Sequence, residues 1–117
     1  MNEYFYPLDG RKHYKDLEEA QKNMFQAFRN FNNEIFEKES ALSRKVKELI
    51  AISVAHTTQC PYCIEGHVRA AKKAGATDQE IAEAIFVAAA LRAGGAFAHS
   101  TISMGVLKEM GGLEKEK

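Results

Sequence analysis

The sequence has 117 residues, 16 basic and 16 acidic side chains and a formal net charge of zero, with 45% hydrophobic and 27% charged residues. That length fits one domain with a core of its own, and that composition excludes a disordered chain. The signs also balance locally, nine of each in residues 1–58 and seven of each in 59–117, so there is neither the basic stripe of a nucleic-acid binder nor the polybasic segment of a membrane-surface protein.

Residues 1–13 read as an N-terminal arm, and residues 14–117 as a single helical domain. The opening Met1-Asn2-Glu3-Tyr4-Phe5-Tyr6 lacks the basic and apolar regions of a secretory signal, so a cytoplasmic location is expected. Tyr4, Phe5, Tyr6 and Pro7 form the adhesive part of the arm, with no obvious partner in the chain's own helices.

A first helix is predicted from about Tyr14 to Phe36, because Leu17, Met24, Phe28, Phe31 and Ile35 recur at helical spacing. That stripe reads as core. A second helix is expected to begin at Ser43, a favourable N-cap, and to end near Thr57-Thr58. Val46, Leu49, Ile50, Ile52 and Val54 make it apolar nearly all round, which places it centrally, with Glu48 among its buried residues. Glu48 also has a blander reading, as the surface partner of Arg44 one turn away.

A third helix is predicted to start at the cysteines, with Cys60 as N-cap, Pro61 in the first turn and Gly75 closing the end. Thr77-Asp78-Gln79-Glu80 is a capping-box pattern that opens a fourth. Ala84 to Leu107 is apolar enough to suggest a membrane span, yet it carries Arg92, Gly94-Gly95, His99 and Ser100. The preferred reading is two small-residue helices buried in protein, broken at Gly94-Gly95, the last stopping at Gly111-Gly112. The fold class is therefore all-α, a compact bundle of about five helices with short connections. The apolar surface exceeds what one such unit needs to bury, which points to a homo-oligomer.

The chemistry concentrates in Cys60-Pro61-Tyr62-Cys63 and His67, with Glu48 upstream. Two cysteines one turn apart at a helix start are close enough for a disulfide, and the helix N-terminus favours thiolate. His67 follows Cys63 by four residues and shares its helix face, where an imidazole can take the thiol proton; Glu48 can orient that imidazole. An alternative uses the spacing of His56, Cys60, Cys63 and His67, which would line one face of a continuous helix and hold a metal. Pro61 and Thr57-Thr58-Gln59 argue for a break there. His99 reads as a satisfied interior histidine and His13 as exposed. The tetrapeptide is also that of glutaredoxins, but a thioredoxin-like fold requires strands and a second, cis-proline loop, and the chain's prolines are Pro7 and Pro61.

Glu48, Cys60, Cys63 and His67, followed by Gly94-Gly95-Ala96-Phe97-Ala98-His99, resemble the AhpD-like branch of the carboxymuconolactone decarboxylase superfamily. The resemblance covers about residues 40–110. It implies an all-α homo-oligomer, commonly a trimer or hexamer, acting as a cofactor-free dithiol peroxidase on hydroperoxides and recycled by a dithiol or protein reductant. It further implies that Cys63 attacks the peroxide, Cys60 resolves the sulfenic acid, and Glu48 and His67 relay the proton. Where alkyl hydroperoxidases of this branch carry a further histidine before the second cysteine, this chain has Tyr62. A metal-binding or redox-sensing module without turnover is the alternative, and a scaffold-only oligomer a third.

Overall fold

Five helices follow one another in the computed structural model, which describes residues 6–7 and 9–112. A 3-10 turn at Gly10–His13 leads into α1 (Tyr14–Ala20), α2 (Lys22–Phe36), α3 (Arg44–Thr58), α4 (Pro61–Lys73) and α5 (Asp78–Glu109). There is no strand among the described residues, and the all-α expectation holds. Tyr4 and Phe5 of the arm, and residues 113–117 of the expected domain, lie outside the described residues.

The helix starts are set by side chains that satisfy free N–H groups. Ser43 Oγ accepts from the Val46 N–H at 3.1 Å, opening α3. Cys60 does the same for the Cys63 N–H at 3.3 Å, with Pro61 in the first turn of α4. Thr77 Oγ1 accepts from the Glu80 N–H at 3.0 Å while the Glu80 carboxylate accepts from the Thr77 N–H at 2.9 Å, completing the expected capping box of α5. Gly75, with φ +97°, turns the chain out of α4, and Gly111, with φ +89°, follows α5; both conformations favour glycine.

Two expected boundaries are corrected. The helix predicted over 14–36 is broken at Gln21, where φ is −147° and ψ 76°. The break sacrifices little hydrogen bonding, because the Gln21 N–H still donates to Leu17 O and the Gln21 carbonyl still accepts from Phe25 N–H, both at 3.0 Å. Conversely, α5 runs unbroken through Gly94-Gly95. A helix-interior glycine costs about 1 kcal/mol relative to alanine, which a 32-residue, alanine-rich helix absorbs.

α3 is the central helix, packed against both α4 and α5. Ile52, Ala71, Ala76, Ile81 and Ala84 form the core, with Leu49, Val68 and Ile85 packed on it. The alanines let the backbones approach closely, so cross-links between helices are short. Ser53 Oγ donates to Ala84 O at 2.6 Å, and Arg92 Nη1 reaches across from α5 to the last turn of α3, donating to Thr57 O at 2.7 Å.

Among the described residues, two apolar faces remain uncovered. The stripe of Leu17, Met24, Phe28, Phe31 and Ile35 is not core here; Phe28 is 66% exposed. The reason is that α2 meets the rest of the bundle through a small contact with α3 and through Phe36, its last residue, against α4. The distal part of α5 likewise projects with Phe97 79% exposed, so the expected pair of buried helices is one helix, largely open along its second half. By length and composition α5 is apolar enough to cross a membrane. The radius of gyration is 20.3 Å and the extents 64 × 37 × 36 Å, against about 13 Å for the radius of a compact chain of this length.

Candidate redox site

The turn between α3 and α4 brings the reactive residues together. Gln59 ends α3 in the left-handed conformation, with φ 60° and ψ 48°, a backbone state that costs a non-glycine residue roughly 1–2 kcal/mol. It reverses the chain so that Cys60 begins a new helix packed against the one just completed. His56, expected in the alternative to share a helix face with the cysteines, stays on the far side of that reversal, its Nδ1 2.8 Å from Ile52 O. No three His, Cys, Asp or Glu side chains are grouped to hold a metal ion among the described residues.

Cys60 and Cys63 are joined by a disulfide across the first turn of α4, with a Cα–Cα distance of 5.2 Å. One turn further, His67 Nδ1 lies 2.6 Å from Glu48 Oε1 on α3. Glu48 is buried, only 7% exposed, and is the one buried charged residue among the described residues. Its pairing with Arg44 on a solvated face is thereby overturned. A carboxylate can only accept, so Nδ1–H is the donor and Nε2 is left as the ring nitrogen that takes or gives a proton.

A cavity of about 420 Å³ opens beside this pair, lined by Cys63 and His67 together with Ile35, Leu42, Ile50 and Val54. Its walls are apolar, and Cys60 is not among its lining residues.

Two supporting residues were not legible beforehand. Phe36, the last residue of α2, stacks at a tilt on His67, with ring centroids 4.9 Å apart. Lys47, next to Glu48 in sequence, holds α2 in place: its ammonium donates to Ile35 O at 2.7 Å, Lys38 O at 2.9 Å and Ser40 Oγ at 3.2 Å. A cation on the last carbonyls of a helix is favourable both as cap and against the dipole. The aromatic arm also finds a partner in its own chain: Tyr6 packs on Tyr62.

The remaining histidines sit apart. His99 Nδ1 is 2.8 Å from Gly95 O on the exposed part of α5, so it is hydrogen-bonded but not interior. His13 is exposed, as expected, and pairs with Asp16 at 3.1 Å.

Comparison with known proteins places the chain in a family. The family described as "Carboxymuconolactone decarboxylase family" matches residues 22–102. A protein of Paracoccus denitrificans described as "Uncharacterized protein 4 in cox locus" is 54% identical over 74 residues, covering 63% of this chain and 67% of the relative. One of Bacillus subtilis (strain 168), "Uncharacterized protein YdfG", is 40% identical over 48 residues, 41% of this chain and 33% of that protein.

Proposed function

The chain belongs to the carboxymuconolactone decarboxylase family, and from that premise we propose that it is a dithiol oxidoreductase that reduces hydroperoxides. The observation that carries this reading is the placement of Cys63 and His67 on one cavity, with the Cys60–Cys63 disulfide and the Glu48–His67 hydrogen bond directly behind them.

The cycle begins from the dithiol. His67 Nε2 takes the proton of Cys63, and Glu48 stabilises the imidazolium through Nδ1–H. The Cys63 thiolate attacks the terminal oxygen of ROOH; the O–O bond breaks, RO⁻ takes the proton back as ROH, and Cys63 becomes a sulfenic acid. The Cys60 thiol then displaces hydroxide, which leaves as water, and the disulfide forms. A dithiol reductant restores both thiols. The attack is assigned to Cys63 because it lines the cavity, and the resolving role to Cys60, which does not.

The exposed faces of α2 and α5 support a homo-oligomer, most simply the hexamer or trimer of the family, in which these faces cover one another. The deciding experiment for the chemistry counts free thiols before and after one equivalent of peroxide. The expected result is the loss of two thiols and the gain of one intramolecular disulfide. Survival of both thiols, or formation of intermolecular dimers alone, refutes the dithiol mechanism.

A further inference from the structure

Four residues of the N-terminal arm converge on Tyr62, one of the two residues between the cysteines. The Tyr6 ring meets the Tyr62 ring edge-on, with centroids 4.7 Å apart and planes at 80°. Tyr62 Oη donates to Pro7 O at 3.3 Å. The Arg11 guanidinium lies over the Tyr62 ring, 5.7 Å from its centroid. Its Nη2 donates to the Tyr62 carbonyl, and its Nη1 to Glu65 Oε1 at 3.4 Å on the next turn of α4. Glycines stand on both sides of the contact. A Cβ at Gly10 would overlap the Tyr62 phenol, and one at Gly66 would come within 2.9 Å of Arg11 Nη2.

We infer that the arm is a clasp on the redox turn, and that Tyr6 and Arg11 are positioning residues that set the Cys60–Cys63 equilibrium by holding Tyr62. The inference rests on the redox reading above. Disulfide formation within the turn requires the backbone from Cys60 to Cys63 to stay in the one conformation that brings the sulfurs together. The clasp restrains the side chain and the carbonyl of Tyr62, within that stretch. It therefore raises the effective concentration of one thiol at the other and favours the disulfide over the open dithiol. Releasing about one residue's backbone freedom corresponds to roughly a tenfold fall in that concentration.

The test is a redox titration against dithiothreitol. Each turnover breaks the protein S–S bond and makes two protein thiols, while dithiothreitol gives up two electrons and two protons and closes its own ring disulfide. Tyr6→Ala, Arg11→Gln and the double variant are compared with the wild-type full-length protein, with helical content followed by circular dichroism. Tyr62→Phe, which removes only the bond to Pro7 O, serves as the mild variant where the others lose helix. The expected result is a wild-type disulfide about tenfold harder to reduce than that of the double variant, equivalent to a potential about 30 mV more negative, with Tyr62→Phe displaced in the same direction by less. Unchanged potentials in folded variants overturn the clasp. So does a shift of opposite sign, which would mean that the Arg11 charge acts by stabilising thiolate. A wild-type pair that never forms a disulfide reversibly brings down the redox reading itself, a result distinct from either.

Discussion

Glu48→Gln is the sharpest perturbation of the proton relay. The amide keeps the shape of the side chain and can still accept the His67 Nδ1–H, so the pair spanning α3 and α4 survives while its charge is lost. At 2.6 Å, with Glu48 buried and the His67 side chain 27% exposed, the bond belongs with the charge-assisted class, worth about 1.5–3 kcal/mol, against about 0.5–1.5 for a neutral one. Partial exposure of the imidazole screens part of the Coulombic gain, which keeps the difference to about 1–1.5 kcal/mol. Since 1.36 kcal/mol is a factor of ten, the imidazolium that accompanies the Cys63 thiolate should be about tenfold less populated. The assay is the iodoacetamide labelling rate of Cys63 in a Cys60→Ser background, measured across pH with and without Glu48→Gln. The expected result is roughly tenfold slower labelling near neutrality, recovering in alkaline solution where the thiol ionises unaided. Equal rates within a factor of two, in a protein of unchanged melting temperature, would show that Glu48 does not act through His67.

Labelling also decides the order of attack: Cys63 in the Cys60→Ser protein should react faster at neutral pH than Cys60 in the Cys63→Ser protein, and the reverse ranking exchanges their roles. For assembly, light scattering should find an oligomer, most simply a hexamer, that Phe28→Glu or Phe97→Glu dissociates; a stable, folded 13.1 kDa monomer with full thiol reactivity refutes it. At the start of α5, Thr77→Ala should lower stability by about 1 kcal/mol in chemical denaturation, and an unchanged midpoint would deny the cap any weight. The Thr77 N–H and then Lys45 hold the Glu80 carboxyl below its usual range, and Lys72 does so for Asp78. Depressed carboxyls stabilise the fold above their ordinary range and lose that contribution as pH falls through their lower folded values. Melting temperature should therefore drop as the pH is taken below about 4.5, and drop less in Lys45→Met; an identical acid profile in that variant contradicts the assignment.

Helix starts were legible because their chemistry is local: Ser43, Cys60 with Pro61, and Thr77 with Glu80 each satisfy N–H groups within three residues. The pairing of Glu48 with His67 was legible from family spacing, since Glu48 alone had a bland reading as a surface partner of Arg44. The continuity of α5 was not. A glycine pair signals a break by propensity, but propensity adds residue by residue, and the alanines around Gly94 outweigh it. The phenylalanine stripe shows the limit of periodicity, which identifies an apolar face without saying what covers it. Least visible were Phe36 on His67 and Arg11 on Tyr62. Those contacts join residues 31 and 51 positions apart, with no pattern in the intervening sequence to announce them.

Arg11 and Phe36 have one more relation. Arg11 is attached to α4 at Tyr62, and Phe36 is seated on the same helix at His67. Everything between, α1 and α2 together, is an arch with both feet standing on the first two turns of the same helix. An arch closed by non-covalent feet is cooperative, because holding one foot shortens the span the other must close and lowers the entropy of closing it. Freeing Arg11 would turn the arch into a cantilever held at Lys47, and Phe36 would press less steadily on the imidazole. The crown of the arch carries Met24 and Phe28, the apolar face open to a neighbour.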